Sequence, residues 1–326
     1  MTLSDKPLVS VVTPFYNTAE YLDECIRSVL AQSYSNWEYI LLDNCSKDGS
    51  ADVAQNYARK DGRIRFIKAD EFVGQVANYN RVLRFISPQS RYCKFVQADD
   101  WIFPDCIEKM VQVAQLDTTV GVVGSYSVYG DRLAHDGLPF RRDPVFEGRE
   151  ACRLYLSTHR GFFGSPTCVM FRSDLVRERD PFFQEDHPCE DVAVCLDLLQ
   201  KSSFAFVYQL LTYNRRDNEA VWTRIEPFKP IMMHDVVLMH QFGQHVFPAE
   251  AYRKRLDEVE NNFYALLGRG CIEARPPEFW KYHFEGLRSV GLQPDRARIA
   301  GAACKALLRV ATNPRETVKA WLRRAD

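Results

Sequence analysis

Apolar and polar positions switch between two periods over the first 130 residues. LVSVVTPF is β-branched and bounded by Pro14, which predicts a strand, and AEYLDECIRSVLAQ after it sets Tyr21, Leu22, Cys25 and Val29 at helical spacing. WEYILLDN and RIRFIKA predict the second and third strands, SADVAQNYARK and GQVANYNRVLRFI the helices that follow them, and CSKDGS a turn. YCKFVQA predicts a fourth strand whose helix starts near Pro104, a residue favoured at the first helical position. VGVVGSYSVYG predicts a fifth. Repeated strand–helix–strand units imply an α/β fold with a mostly parallel sheet flanked by helices, since parallel neighbours need crossover connections. Ligands of such sheets sit outside the carboxyl ends of the strands.

From Phe140 to about Thr223 the regularity fades: GFFGSPTCVMF predicts a loop and a strand, EDVAVCLDLLQK a helix, FAFVYQLLTYNRR a strand. After Pro230 the pattern is nearly all helical. A boundary between Arg224 and Pro230 divides the chain into a sheet domain, 1–225, and a helical region, 226–326.

Composition changes this picture little. The 326 residues are 46% hydrophobic with a net charge of -1, so no overall basic field holds nucleic acid and an anionic ligand must be gripped locally. The ten cysteines have no metal-finger or C-x-x-C spacing and read as reduced thiols of a cytoplasmic protein. Asp5 and Pro7 precede the first short apolar run, and no stretch reaches about 18 apolar residues, so neither a signal peptide nor a span is expected. His234, His240 and His245 lack the i, i+4 spacing of a helical zinc site and read as packing or surface residues. In the tail, Val318, Trp321 and Leu322 share one helical face, with Arg315, Lys319 and Arg323 mostly elsewhere. This pattern suits packing, a homodimer contact, or peripheral contact with the inner face of a membrane.

The strand ends carry the chemistry. The first strand exits into TPFYN without a glycine-rich loop, which argues against a dinucleotide enzyme and a P-loop ATPase. The second exits into Asp43 and a polar turn ending at Asp48, Gly49 and Ser50; the fourth exits into Asp99 and Asp100. Three carboxylates on one sheet edge repel one another unless a cation intervenes, and Mg²⁺ or Mn²⁺ binds through one or two carboxylates plus substrate phosphates. The alternative is an N-cap for the helix near Pro104, but a cap needs one side chain and two are present.

SVVTPFYN, YILLDNCSKDGS, Gly74 with Asn78 and Asn80 in GQVANYN, and KFVQADDW occur in that order, and together they resemble the family 2 glycosyltransferases, inverting enzymes of the GT-A fold, over roughly residues 7–225. The resemblance implies that Pro14 and Tyr16 line the base and ribose of a nucleotide-sugar donor and that Asp43 accepts a hydrogen bond from the base, commonly uracil. Asn78 belongs to the same binding set. Asp99 would bind the cation, Mn²⁺ or Mg²⁺, that bridges the phosphates, and Asp100 would orient the loop or cap the helix. Glu190 and Asp191 stand where the family has its acidic pair, with Asp191 the general base for an acceptor hydroxyl on a glycan or lipid-linked acceptor. Taken alone, that pair also suits a helix N-terminus by complementing its dipole. Arg215 and Arg216 suit a diphosphate or a solvated surface, and Ser165 and Pro166 an acceptor border or a structural turn.

Three positions depart from the family pattern. Gln97 replaces the first Asp of the acidic triplet and would offer the ribose a neutral amide, Asn44 replaces a frequent Asp, and Asp217 stands where relatives carry His. These departures motivate one alternative, a non-catalytic nucleotide-sugar or glycan-binding subunit of an assembly complex. A nucleotidyltransferase is a third reading, disfavoured because no glycine- and lysine-rich loop follows the first strand.

Overall fold

The computed structural model describes residues 6–134, 138, 140–158, 161–216 and 221–312. Asp217 and the amphipathic tail containing Val318, Trp321 and Leu322 lie outside the described residues. The chain forms two compact units, Met1–Ala220 and Val221–Asp326.

The first unit runs β1 (Val9–Phe15), α1 (Ala19–Leu30), β2 (Trp37–Asp43), α2 (Ser50–Lys60), β3 (Ile64–Lys68), α3 (Gln75–Leu83), β4 (Tyr92–Phe95), β5 (Trp101–Ile102), α4 (Cys106–Ala114), β6 (Val120–Tyr129) and β7 (Arg132–Ala134). It continues through β8 (Val145–Phe146), α5 (Gly148–Thr158), β9 (Val169–Arg172), α6 (Ser173–Arg177), α7 (Glu190–Leu198) and β10 (Ser203–Asn214). One sheet has the order β3-β2-β1-β4-β9-β6-β10-β5, with β7 on β6 and β8 on β10. All seven residues of β1 are buried, as expected of a central strand covered on both faces. Helix α1 buries Leu22, Cys25, Ile26 and Val29, a single stripe that docks it on the core.

Topology decides what meets at one edge. Strands β3, β2, β1 and β4 are mutually parallel, so Phe15, Asp43 and the segment after Phe95 leave the sheet on the same side. Strand β9 is antiparallel to both β4 and β6, so it enters from that side, directly after a 3-10 turn at Pro166–Cys168. Strand β10 is parallel to β6 and delivers Asn214 and Arg215 to the same edge, while β5, just after Asp100, pairs antiparallel with its last residues.

The second unit is helical: α8 (Val221–Ile225), α9 (Ile231–Leu238), α10 (Gln244–Val246), α11 (Ala249–Ile272), α12 (Pro277–Ser289) and α13 (Arg296–Thr312), with a π-helical turn at Met239–Gly243. Among the described residues no helix is long and apolar enough to cross a membrane. Of the three histidines expected to be packing or surface residues, His234 bonds the Tyr282 hydroxyl at 3.1 Å, His240 pairs with Glu260 at 2.9 Å and His245 is exposed.

His283 is fully buried against Phe263 and Phe279. Its Nε2 bonds the Phe228 carbonyl at 2.9 Å, its Nδ1 has no hydrogen-bond partner, and burial pushes its pKa down to about 4. The folded pKa lies below the unfolded value of about 6.5, so the neutral ring's contribution is complete above pH 6.5 and is lost as pH falls toward 4, about 3 kcal/mol in all. Urea unfolding of the full chain followed by far-UV circular dichroism at pH 7.5 and pH 4.5 is expected to show this loss, and His283→Phe to flatten the difference. An identical pH response in the variant would show that another group carries it.

Candidate active site

The exits of β1 and β2 are braced by short polar side chains. Asn17 N donates to Ser46 Oγ at 2.9 Å, Lys47 N to Asn17 Oδ1 at 2.8 Å, Thr18 N to Ser50 Oγ at 2.8 Å and Ala19 N to Asp48 Oδ2 at 2.9 Å. Gly49, at φ 94°, supplies the left-handed residue that starts α2. The polar turn therefore holds two loops together. Asn44 exchanges two bonds with the backbone of Val73 (2.8 and 3.1 Å) and ties the loop before α3 to the same edge.

Within this frame Asp43 is fully buried. Its Oδ1 accepts the Ser46 amide at 2.9 Å, whereas its Oδ2 is buried with no hydrogen-bond partner. A buried carboxylate oxygen left unpaired is costly, which makes this atom a candidate acceptor for a ligand N–H. Beside it the exposed rings of Tyr16 and Phe72 touch at 4.7 Å between centroids. Pro14 is buried within β1. On α3, Asn78 is buried with its Oδ1 lacking a hydrogen-bond partner, while Asn80 exchanges two 2.8 Å bonds with the backbone of Phe183 and serves the fold.

After β4, Gln97 donates Nε2 to the Tyr79 hydroxyl at 2.7 Å, and Gln75 donates to the same oxygen at 2.5 Å. Burial drives the Tyr79 pKa up against those bonds, and the negative charges of Asp99 and Glu190 both add to the rise. One hydroxyl thus senses the β4 exit and the start of α7 together. Asp99 is half-buried. Asp100 is 4% exposed and accepts Thr167 Oγ1 at 2.5 Å, Asn214 Nδ2 at 2.7 Å and Arg215 N at 2.9 Å. Burial, then the Asp99 charge, holds its carboxyl well above the usual range. The residue preceding α4 is Asp105, with no side-chain cap, so Asp100 orients the loop and does not cap the helix.

The Arg215 guanidinium lies 4.6 Å from the Tyr21 ring, donates Nε to the Asp99 carbonyl at 3.0 Å and pairs with Glu24 at 2.5 Å. It stands at the rim of the Asp99 segment as a fixed fork rather than a solvated chain. Arg216 lies over the Tyr129 ring at 5.0 Å. Ser165 and Pro166 form the entry of the 3-10 turn, with Ser165 Oγ accepting Asn214 Nδ2 at 2.8 Å, which is a structural turn. Trp101 lies flat on Tyr213, 12° from coplanar at 4.9 Å.

Glu190 and Asp191 open α7, and both are half-buried. Asp191 Oδ1 accepts the Val192 amide at 2.8 Å. Burial raises both carboxyls, and for Glu190 the Asp191 charge adds to the rise. Carboxylates that merely complement a helix dipole are stabilised in their charged form and shift down. Here desolvation outweighs the dipole and both carboxyls are pushed up.

A family model described as glycosyl transferase family 2 matches residues 10–179. The chain belongs to that family. Family membership makes glycosyl transfer its reaction class. Among curated relatives, the glycosyltransferase TuaG of Bacillus subtilis, whose name places it in teichuronic acid biosynthesis, is 31% identical over 62% of this chain and 75% of its own length. The B. subtilis glycosyltransferase EpsJ is 26% identical over 83% of this chain and 80% of its own. Among solved structures, S. aureus TarS 1–349 in complex with UDP-GlcNAc superposes with a TM-score of 0.61 at 16% identity, covering 86% of this chain and 80% of that one. The mannosyltransferase PcManGT of Pyrobaculum calidifontis, in complex with GDP-Man and Mn²⁺, gives 0.55 at 14% identity over 94% and 81%. These likenesses establish the GT-A fold of this family 2 chain.

Among the described residues no three His, Cys, Asp or Glu side chains are grouped to hold a metal ion. Asp100 spends its oxygens on three protein donors, and the half-buried Asp99 is the other carboxylate at the β4 exit. Such a donor set fits Mg²⁺ or Mn²⁺ only where substrate phosphates and water complete the shell. The sequence did not point to Thr167, Asn214, Tyr79, Glu24 or Phe72. Of these only Phe72 carried a local signal, an aromatic in the polar stretch KADEF.

Proposed function

We propose that this family 2 chain transfers a sugar from a uridine diphosphate donor, with inversion, to a hydroxyl of a glycan or lipid-linked acceptor in polysaccharide biosynthesis. The observations that support the reading are the edge at which β2 and β4 deliver an unpaired Asp43 oxygen and a half-buried Asp99, and the raised Glu190–Asp191 pair, whose Glu190 acts together with Asp99 on the Tyr79 hydroxyl. The names of TuaG and TarS 1–349 with UDP-GlcNAc support the pathway and donor class.

The state of Asp43 favours uracil. Its Oδ1 is occupied by Ser46 N, so one oxygen is left to accept. Uracil presents a single N3–H between two carbonyls and needs one acceptor, whereas guanine presents N1–H and N2–H side by side and pairs best with both oxygens of a carboxylate. Tyr16 and Phe72 supply aromatic surface for the base, and Arg215 a fixed positive charge near the phosphates.

In the reaction, Asp191 accepts the proton of the acceptor hydroxyl as its oxygen attacks the anomeric carbon. The bond from that carbon to the diphosphate breaks on the opposite face, its electron pair leaves with the diphosphate, and one displacement inverts the centre. A divalent cation at Asp99, when bound with the donor, supplies positive charge for the leaving phosphates. Burial keeps Glu190 protonated to higher pH than an ordinary carboxyl, so beside Asp191 it acts as a neutral neighbour that leaves the base role undivided.

Calorimetry with UDP and GDP, with and without Mn²⁺, is expected to give tighter binding of UDP by about tenfold or more, and Asp43→Asn, which turns a donor toward N3–H, to remove that preference. Equal affinities in the wild type would overturn the base assignment. Turnover of the bound donor must release nucleoside diphosphate. Release of pyrophosphate would indicate nucleotidyl transfer, and binding without turnover the non-catalytic subunit.

A further inference from the structure

Asp100 gathers three segments distant in sequence. Its Oδ2 accepts Thr167 Oγ1 and Asn214 Nδ2, its Oδ1 accepts Arg215 N, and Arg215 Nε returns to the Asp99 carbonyl at 3.0 Å. Thr167 does two jobs with one hydroxyl, donating to Asp100 and accepting the Gln97 amide at 3.0 Å. A hydroxyl donates and accepts through a single oxygen, which a methyl or a proton in its place cannot do. The turn is held from below by Lys94, whose fully buried Nζ donates to the carbonyls of Thr167 and Val169.

We infer that Thr167 is a positioning residue: through Asp100 it fixes the backbone of Asp99 and the fork of Arg215, so the turn beside β9 sets how firmly the donor's diphosphate is held together with its cation. This rests on the proposed role of Asp99. Asp43 at the end of β2 makes no bond to Thr167, whose one bond toward the proposed nucleotide groups is from the Gln97 backbone amide, so nucleotide binding without cation depends on the turn less than cation-supported binding does. A carboxylate that loses one of three donors is free to rotate, and the groups it orients lose registry with the phosphates.

The test uses the full-length chain, UDP as probe, and calorimetry with and without Mn²⁺, alongside melting temperatures. Thr167→Val keeps the shape and loses the hydroxyl. It is expected to weaken Mn²⁺-supported UDP affinity by about tenfold while UDP affinity without Mn²⁺ stays within about threefold. Thr167→Ser and Thr167→Ala separate hydroxyl from methyl: Ser should restore the Mn²⁺ effect and Ala should not. A folded Thr167→Val with the wild-type Mn²⁺ effect, or equal losses in Ser and Ala, overturns the inference. A wild-type chain whose UDP affinity ignores Mn²⁺ overturns instead the cation role of Asp99.

Discussion

Replacing Asp191 by Asn is expected to lower the transfer rate by about 10²- to 10⁴-fold, the usual contribution of a positioned base, with nucleotide affinity essentially intact. The substitution is nearly isosteric, and the amide oxygen still accepts the Val192 N–H that the carboxylate accepts at 2.8 Å, so the first turn of α7 is preserved. What disappears is the proposed proton acceptor. Glu190→Gln makes the complementary test, because Gln copies the protonated form that burial favours there, and most of the activity should survive. The pH profile follows from the same shifts. The base must be deprotonated to work, and burial raises its pKa, so the rate should climb with pH through a window above the ordinary carboxylate range. Steady-state rates with saturating donor check all three. Wild-type turnover in Asp191→Asn would remove the residue from the chemistry.

Asp99→Asn is expected to abolish stimulation by Mn²⁺ and to cut kcat/KM by about 10²- to 10³-fold, the scale on which removal of one preorganised charge contact acts. The Asp99 backbone carbonyl still accepts Arg215 Nε in this variant, so the loop keeps its anchor and the melting temperature should hold. Persistent Mn²⁺ stimulation would place the cation on other ligands. Arg215→Lys keeps the charge but loses the fork geometry and the Nε bond that anchors the Asp99 loop: lower UDP affinity at an unchanged melting temperature would assign the guanidinium to the phosphates, and a fall in both would assign it to the loop.

Much of the sheet is legible in the sequence because β1, β2 and β4 are buried on both faces and read as apolar runs with polar punctuation at their ends. Asp43 and Asp99 stand out for the same reason, as charges directly after apolar strands. Helix α5 was not expected, although Ala151, Cys152 and Leu156 are buried along it at helical spacing; Arg149, Glu150 and Arg153 between them dilute the stripe. The insertion of β9 between β4 and β6 has no local signal, since its partners are Tyr92–Lys94 and Val122–Gly124. The partners of Asp100 are hidden for the same reason. Thr167 lies 67 residues away and Asn214 lies 114 residues away, and a donor that far along the chain is found only once the sheet order is known. The raised carboxyls of α7 likewise come from tertiary burial that no spacing of Glu190 and Asp191 encodes.

The stacking of Trp101 on Tyr213 gives the molecule an optical gauge. The indole follows Asp100 directly, and its partner ring precedes Asn214 and Arg215, so the two aromatics bridge the segments that the Asp100 carboxyl ties together. A donor that shifted either ring would change the quenching of the indole, and stopped-flow emission of the chain compared with that of Trp101→Phe, which removes one of its five tryptophans, would time donor capture without a label.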